Sequence, residues 1–161
     1  MNIYIAGPLF GVADQARNLK LAEELAARGY DIILPQQRAL QFYTDGKPDI
    51  KAICLDCMTQ AMSCDILIAN IDGPDADSGT ALEVGLALAS TCNLMVICVR
   101  TDFRTSLENE VGINGMFQLA NEIIYMPAFI NSIDDEILFY SKLASKINEV
   151  IIDITLKRGR K

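Results

Sequence analysis

Short apolar runs alternate with helix-length segments from one end of this chain to the other, and no other feature constrains the fold as much. Residues 2–6, 31–34, 65–71, 94–99 and 122–126 read as strands. Between them, residues 14–28, 49–62 and 79–91 predict helices, and 112–120 a short one. The first helix would turn Leu19, Ala22, Leu25 and Ala26 inward and close at Gly29. A last helix runs from Ile133, with Ile137, Tyr140, Ala144, Ile147, Ile151 and Ile154 at helical spacing. Residues 36–48 predict a loop or a short broken helix, and 100–109 a polar loop. Strands that alternate with helices imply an α/β fold, a parallel sheet doubly wound by helices on both faces. Right-handed crossovers make it flavodoxin-like and five-stranded, with order 2-1-3-4-5, in one domain over residues 1–161. Ligands of such sheets sit beyond the carboxyl ends of strands one and three. Two Gly/Pro/Asp-rich loops, residues 7–14 and 72–78, converge there.

Composition narrows the chemistry. The net charge of -7 argues against a general nucleic-acid or membrane-surface binder. The basic end, Lys157 to Lys161, reads as a solvated terminus. Met1 leads straight into a strand and no run is long enough to span a bilayer, so a cytoplasmic protein is expected. Histidine is absent, which removes Ser-His and Cys-His pairs and the usual transition-metal sites. Acid-base work must fall on carboxylates, Tyr, Lys or Cys. The five cysteines are an odd number for a disulfide framework. Cys54 and Cys57 form one C-x-x-C inside a helical segment, a weak zinc or redox signal, and buried, inert thiols are expected.

One acid stands out. From position 78 through 99, Glu83 alone carries a formal charge. It falls in the second turn of an apolar helix, where Leu82, Val84, Leu86, Ala87 and Leu88 leave little polar face. Burial disfavours the ionised form, so such a group needs a partner or a chemical use. A structural reading competes: Thr80 and Glu83 have the spacing of a capping box. Asp77 and Ser78 compete as the cap, which would set Glu83 too deep for one. The acidic loop Asp72-Gly73-Pro74-Asp75-Ala76-Asp77 lacks EF-hand spacing and its closing Glu. A phospho-acceptor module would want paired acids after strand one, where this chain has Gly7-Pro8-Leu9-Phe10.

Three stretches, Tyr4-Ile5-Ala6-Gly7-Pro8-Leu9-Phe10, Cys64 to Ala69 with Asp72-Gly73, and Asp77-Ser78-Gly79-Thr80-Ala81-Leu82-Glu83-Val84-Gly85, resemble the nucleoside 2-deoxyribosyltransferases. That family exchanges the base of a 2'-deoxynucleoside for a free purine or pyrimidine, with no cofactor and no metal. The resemblance implies 2'-deoxynucleosides and free nucleobases as partners, and neither a nucleic-acid polymer nor a membrane. It makes Glu83 the nucleophile at C1', Tyr4 the hydroxyl that holds it, and Asp77 a ligand of a sugar hydroxyl. Asp56 is the nearest match to the aspartate that handles the base and its proton. Gln36 or Gln37 resembles the glutamine that reads the base edge, and Phe10 an apolar wall. Gly7 and Asp72 stand in the two loops of the crevice. Asn114 and Met116 resemble a segment that a neighbouring subunit inserts, which implies a homo-oligomer, at least a dimer, with shared sites.

Relatives that hydrolyse 2'-deoxynucleoside 5'-monophosphates are the alternative, with a non-catalytic nucleoside-binding module behind it. The hydrolases bind phosphate with small hydroxyl residues and an arginine in the first loop. Here that loop holds no Ser, Thr or basic residue before Arg17, and Asp77 stands where they need a neutral side chain. A carboxylate a few ångströms from a phosphate repels it by about 1–4 kcal/mol at effective dielectrics between water and protein surface. Nucleosides are the favoured substrates.

Overall fold

In the computed structural model, residues 1–103 and 112–159 are described. The chain runs β1 (Asn2–Ala6), α1 (Val12–Ala26), β2 (Asp31–Ile33), α2 (Pro35–Arg38), a 3-10 turn (Ala39–Phe42), β3 (Tyr43–Thr44) and β4 (Lys47–Pro48). It continues through α3 (Ile50–Ser63), β5 (Ile66–Asn70), α4 (Ser78–Ala89), β6 (Met95–Arg100), a second 3-10 turn (Gly115–Leu119), β7 (Glu122–Tyr125) and α5 (Ile133–Arg158). Five strands form one parallel sheet in the order β2-β1-β5-β6-β7, the flavodoxin-like order the alternation predicts. Part of the expected polar loop, residues 104–109, lies outside the described residues.

Side-chain alternation along each strand divides the core in two. Ile3, Ile5, Ile66, Ile68 and Ile97 pack with Leu21, Leu25, Leu143 and Ile147 of α1 and α5. Tyr4, Ala6, Leu67, Ala69 and Cys98 face the other way, with Ala61 of α3 and Val84 and Ala87 of α4. Tyr4 is therefore the polar residue that β1 delivers to the α3/α4 face.

Three expectations change. The inward stripe of α1 is Asn18, Leu21, Ala22 and Leu25, while Leu19 and Ala26 are exposed. Asn18 fits the buried stripe because its amide donates to the Pro8 carbonyl (2.9 Å) and so pins the first loop. Residues 43–48 form a tight hairpin around Asp45 and Gly46, both at positive φ (51° and 74°), the geometry an Asp-Gly turn favours. On α5, Leu143, Ala144, Ile147 and Ile151 are buried, whereas Ile133 and Ile137 at its start are exposed. The described residues include no helix long and apolar enough to cross a membrane.

One buried cation organises the second loop. Arg100, 2% exposed at the end of β6, donates to the carbonyls of Ile71 (3.1 Å) and Gly73 (3.2 Å) and pairs with Asp102 (2.9 Å). Gly73, at φ 109°, adopts a conformation that side chains disfavour, and a Cβ there would meet the Asp75 carbonyl at 2.9 Å. Arg100→Leu strands those carbonyls and removes the cation paired with Asp102. It is expected to lower the unfolding free energy by about 3 kcal/mol in urea titrations. Unchanged stability would remove Arg100 as the anchor of this loop.

Candidate active site

The site is built where β1 and β5 lie side by side and their following helices leave on opposite faces. Ala6 pairs in register with Ala69, so the turns after both strands open at the same level. The first turn lies close to its surroundings: a Cβ on Gly7 would meet Asn18 Oδ1 at 3.1 Å and Asn70 Cβ at 3.4 Å. The second turn ends at Asp77, which caps α4 by accepting from the Thr80 amide (3.0 Å) and hydroxyl (3.3 Å). This cap settles the competition within the sequence. Ser78 is the first helical residue, so Glu83 sits in the second turn and is no part of a capping box.

From there Glu83 meets β1. The Tyr4 hydroxyl donates to Glu83 Oε1 at 2.6 Å, joining residues 79 apart in sequence. Burial pushes the Glu83 carboxyl up to about 7; the Tyr4 bond opposes that rise and the Asp77 charge adds to it. Leu82, its neighbour in sequence, does not bury it, being 65% exposed. Nor does the helix terminus hold it ionised, because that field fades within the first turn. Tyr4 itself is held well above its ordinary range by burial and by the adjacent carboxylate, so it stays a donor. The pair is a carboxylate of tuned acidity with one oxygen fixed, able to act as nucleophile or base near neutral pH.

Around the pair, α3 contributes two adjacent residues with different partners. Asp56 is gripped by Arg38 of α2 through Nε–Oδ2 (2.7 Å) and Nη2–Oδ1 (2.6 Å). That fork holds the Asp56 carboxyl below the usual range, so it is ionised and an acceptor. Cys57 instead lies against Tyr4, one turn before the buried Ala61 on the inward face of α3. The expectation of buried, inert thiols holds for Cys64 and Cys98, raised by burial to about 11 and about 12. Cys54 and Cys92 are exposed and Cys57 is half-buried, a departure that follows from their helix and loop positions. Among the described residues no cluster of three His, Cys, Asp or Glu could hold a metal.

The sequence profile of the nucleoside 2-deoxyribosyltransferases matches residues 3–118, more than half of the chain, with Tyr4, Asp56, Asp77 and Glu83 inside it. The chain belongs to that family. A conserved protein from Enterococcus faecalis V583 is 28% identical, with TM-score 0.63 over 88% of this chain and 98% of its own. A 2-deoxyribosyltransferase from Bacillus psychrosaccharolyticus shares the fold at 21% identity and TM-score 0.58, covering 85% and 90%. So does a CMP N-glycosidase from Clostridium botulinum, at 15% identity and TM-score 0.54, covering 92% and 99%. No curated protein is significantly similar in sequence.

Within this deoxyribosyltransferase-family fold, the residues singled out in the sequence fall into three groups. Tyr4, Glu83 and Asp77 come together. Gln36, Asp72 and Asp56 are engaged with the protein itself, Asp56 through the Arg38 fork. Gln36 Nε2 donates to the Gln15 carbonyl (3.0 Å) and its Oε1 accepts from Asn18 (3.4 Å). Asp72 accepts from the Thr101 amide (2.5 Å) and hydroxyl (2.7 Å), and pairs with Arg17 at 3.1 Å. Gln37, Phe10, Asn114 and Met116 are exposed, Phe10 by 83%. Asn114 caps the second 3-10 turn by accepting from the Met116 amide at 3.0 Å. The sequence analysis passed over Arg38 and took Cys57 for a buried, inert thiol. The helix register leading to Ala61 would have found Cys57, but nothing local marks Arg38.

Proposed function

We propose that the protein is a nucleoside deoxyribosyltransferase that exchanges the base of 2'-deoxynucleosides by double displacement on Glu83. The observation that carries this reading is the 2.6 Å Tyr4–Glu83 bond at the switch point of the sheet, in a chain of this family. Glu83 attacks C1' as the C1'–base bond breaks, and the departing base takes up a proton. The covalent deoxyribosyl ester is then opened by an incoming base, which releases the carboxylate. Negative charge under an oxocarbenium-like transition state favours both steps. Tyr4 fixes one oxygen of Glu83 and leaves the other to react. Asp77, whose charge is felt by Glu83, accepts from a sugar hydroxyl. Asp56, ionised in the grip of Arg38, receives a donor on the base side. Phe10 and Gln37, exposed at the crevice rim, close over the base, and Asn114 and Met116 reach a neighbouring copy's site in a homo-oligomer.

Nucleosides suit the site better than monophosphates. Arg17, the nearest cation after the first loop, is already paired with Asp72, and Asp77 would face any 5'-phosphate. Asp77→Ser is expected to lower kcat/KM for nucleosides about 10-fold, the effect of one lost bond to a carboxylate, and to admit monophosphates. Undiminished nucleoside use with no gain on monophosphates would remove Asp77 from the sugar. For the function itself, 2'-deoxyinosine and free adenine are incubated without phosphate and products are followed by chromatography. Formation of 2'-deoxyadenosine is expected. Hypoxanthine and free deoxyribose alone would make the protein a hydrolase.

A further inference from the structure

Strand β7 is an edge of the sheet, and among the described residues no strand lies along its outer side. The Met126 amide donates to the Arg100 carbonyl of β6 (2.9 Å), so the two-residue alternation turns the amides and carbonyls of Ile123 and Tyr125 outward. Beside that edge runs a groove of about 790 Å³ between β7 and α5, with Ile124 and Met126 on its strand side. Its helical wall is one stripe of α5, Lys142, Lys146, Glu149 and Asp153, at spacings i, i+4, i+7 and i+11. Arg158 donates to the Asn93 and Leu94 carbonyls ahead of β6 (2.8 and 3.1 Å), so α5 runs antiparallel to the strands. The cationic half of the stripe therefore lies toward the carboxyl end of β7, and the anionic half beside Glu122 at its amino end.

We propose that this edge is an interface with a second copy of the chain: two β7 strands pair antiparallel about a two-fold axis through Ile124 and join the two five-stranded sheets into one. An axis perpendicular to the sheet keeps α5 of both copies on one face, so residues of like face pair, Ile124 with its own counterpart and Ile123 with the partner's Tyr125. The outward amides and carbonyls of Ile123 and Tyr125 then bond each other, which satisfies the groups that an open edge leaves to water. The same rotation sets Lys142 and Lys146 of one copy toward the acidic half of the other, so the sign change along α5 matches itself. A second copy is thus the occupant that the charge pattern fits, since an isologous contact needs a surface complementary to its own rotated image. Lys146 with Glu149 (3.5 Å) and Lys157 with Asp153 (2.5 Å) pair within one copy at exposed positions. Such bonds are worth little there and exchange readily for bonds across the groove.

Sedimentation velocity at micromolar concentration, with circular dichroism to follow the fold, reads the interface as the mass of the assembly. Lys142→Glu with Lys146→Glu sets acid against acid and is expected to raise the dissociation constant on the order of 100-fold, so that the mass falls to half or less. Glu122→Lys with Glu149→Lys does the same with cation against cation. Mixed in equal amounts, the two variants restore the assembly, because each now faces the opposite sign. Tyr125→Pro removes an outward amide without touching the ladder to β6 and also separates the copies; should it fail to fold, the charge variants decide. The contact proposed for Asn114 and Met116 persists in all of these chains, so the comparison between variants isolates this edge. A wild type that stays monomeric would overturn the proposal and leave the edge to another partner. Reversed variants of unchanged mass would overturn it too, as would a mixture that stays dissociated.

Discussion

Glu83→Gln is expected to abolish base exchange and, at the same time, to make the protein more stable above neutral pH. The amide cannot form the ester, and loss of a nucleophile costs roughly 10^4-fold or more in kcat/KM. The stability gain follows from the carboxyl's titration. Its value rises from 4.5 to about 7 on folding, so between those limits the folded protein holds the proton more tightly than the unfolded chain. Stability from this group is complete below 4.5 and declines as pH climbs through about 7, where the buried carboxyl must ionise. The full shift corresponds to an order of magnitude of ~3 kcal/mol. Glutamine accepts the Tyr4 bond and carries no charge to bury. At pH 8 the variant should therefore melt roughly 6–12 °C above the wild type, with the gap closing toward pH 4. An inactive variant of unchanged melting temperature would show that Glu83 is not ionised at a cost. A variant that still exchanges bases would remove it from the nucleophile's role.

Tyr4→Phe separates the positioning of the nucleophile from its ionisation. A hydrogen bond to a charged group is worth about 1.5–3 kcal/mol, or about one to two pH units of carboxyl titration. Without the hydroxyl, burial and the Asp77 charge act on Glu83 unopposed. The acid limb of the kcat/KM profile is expected to move from near pH 7 to roughly pH 8–9. Activity at pH 7 then falls about 5- to 50-fold and recovers substantially as the pH is raised. A loss of the same size at every pH would mean that Tyr4 acts by orientation alone. Glu83→Gln and Tyr4→Phe together should be no worse than Glu83→Gln, since the tyrosine acts through the carboxylate.

The frame was legible because short apolar runs and helical stretches alternate along the chain, and crossover handedness leaves few orders for five strands. Glu83 was legible as a lone charge in an apolar stretch, and Tyr4 and Asp77 through the family motifs around it. The errors came where a one-residue step changes the outcome. On α3, Asp56 and Cys57 differ by about 100° around the axis, which sends one to Arg38 and the other to Tyr4. Composition favoured the acid for chemistry, whereas the register set by Ala61 favoured the thiol for contact. On α1 the same kind of slip put Leu19 in the place of Asn18, because a buried Asn makes the stripe look less apolar than it is. Residues 43–48 hid a hairpin because its strands are two residues each, too short for any alternation to show around the Asp-Gly turn. The partners of Gln36, Asp72 and Arg100 depend on loops that meet only in the folded chain, and no local pattern announces them.

The central claim is a covalent deoxyribosyl-glutamate. The direct measurement mixes the protein with a 2'-deoxynucleoside in the absence of an acceptor base, quenches in acid, and maps the peptides by mass spectrometry. The account predicts one deoxyribosyl group on the peptide that contains Glu83, discharged when a second base is supplied before the quench, and absent in Glu83→Gln. Base exchange without that adduct, or with the sugar on another residue, would contradict it.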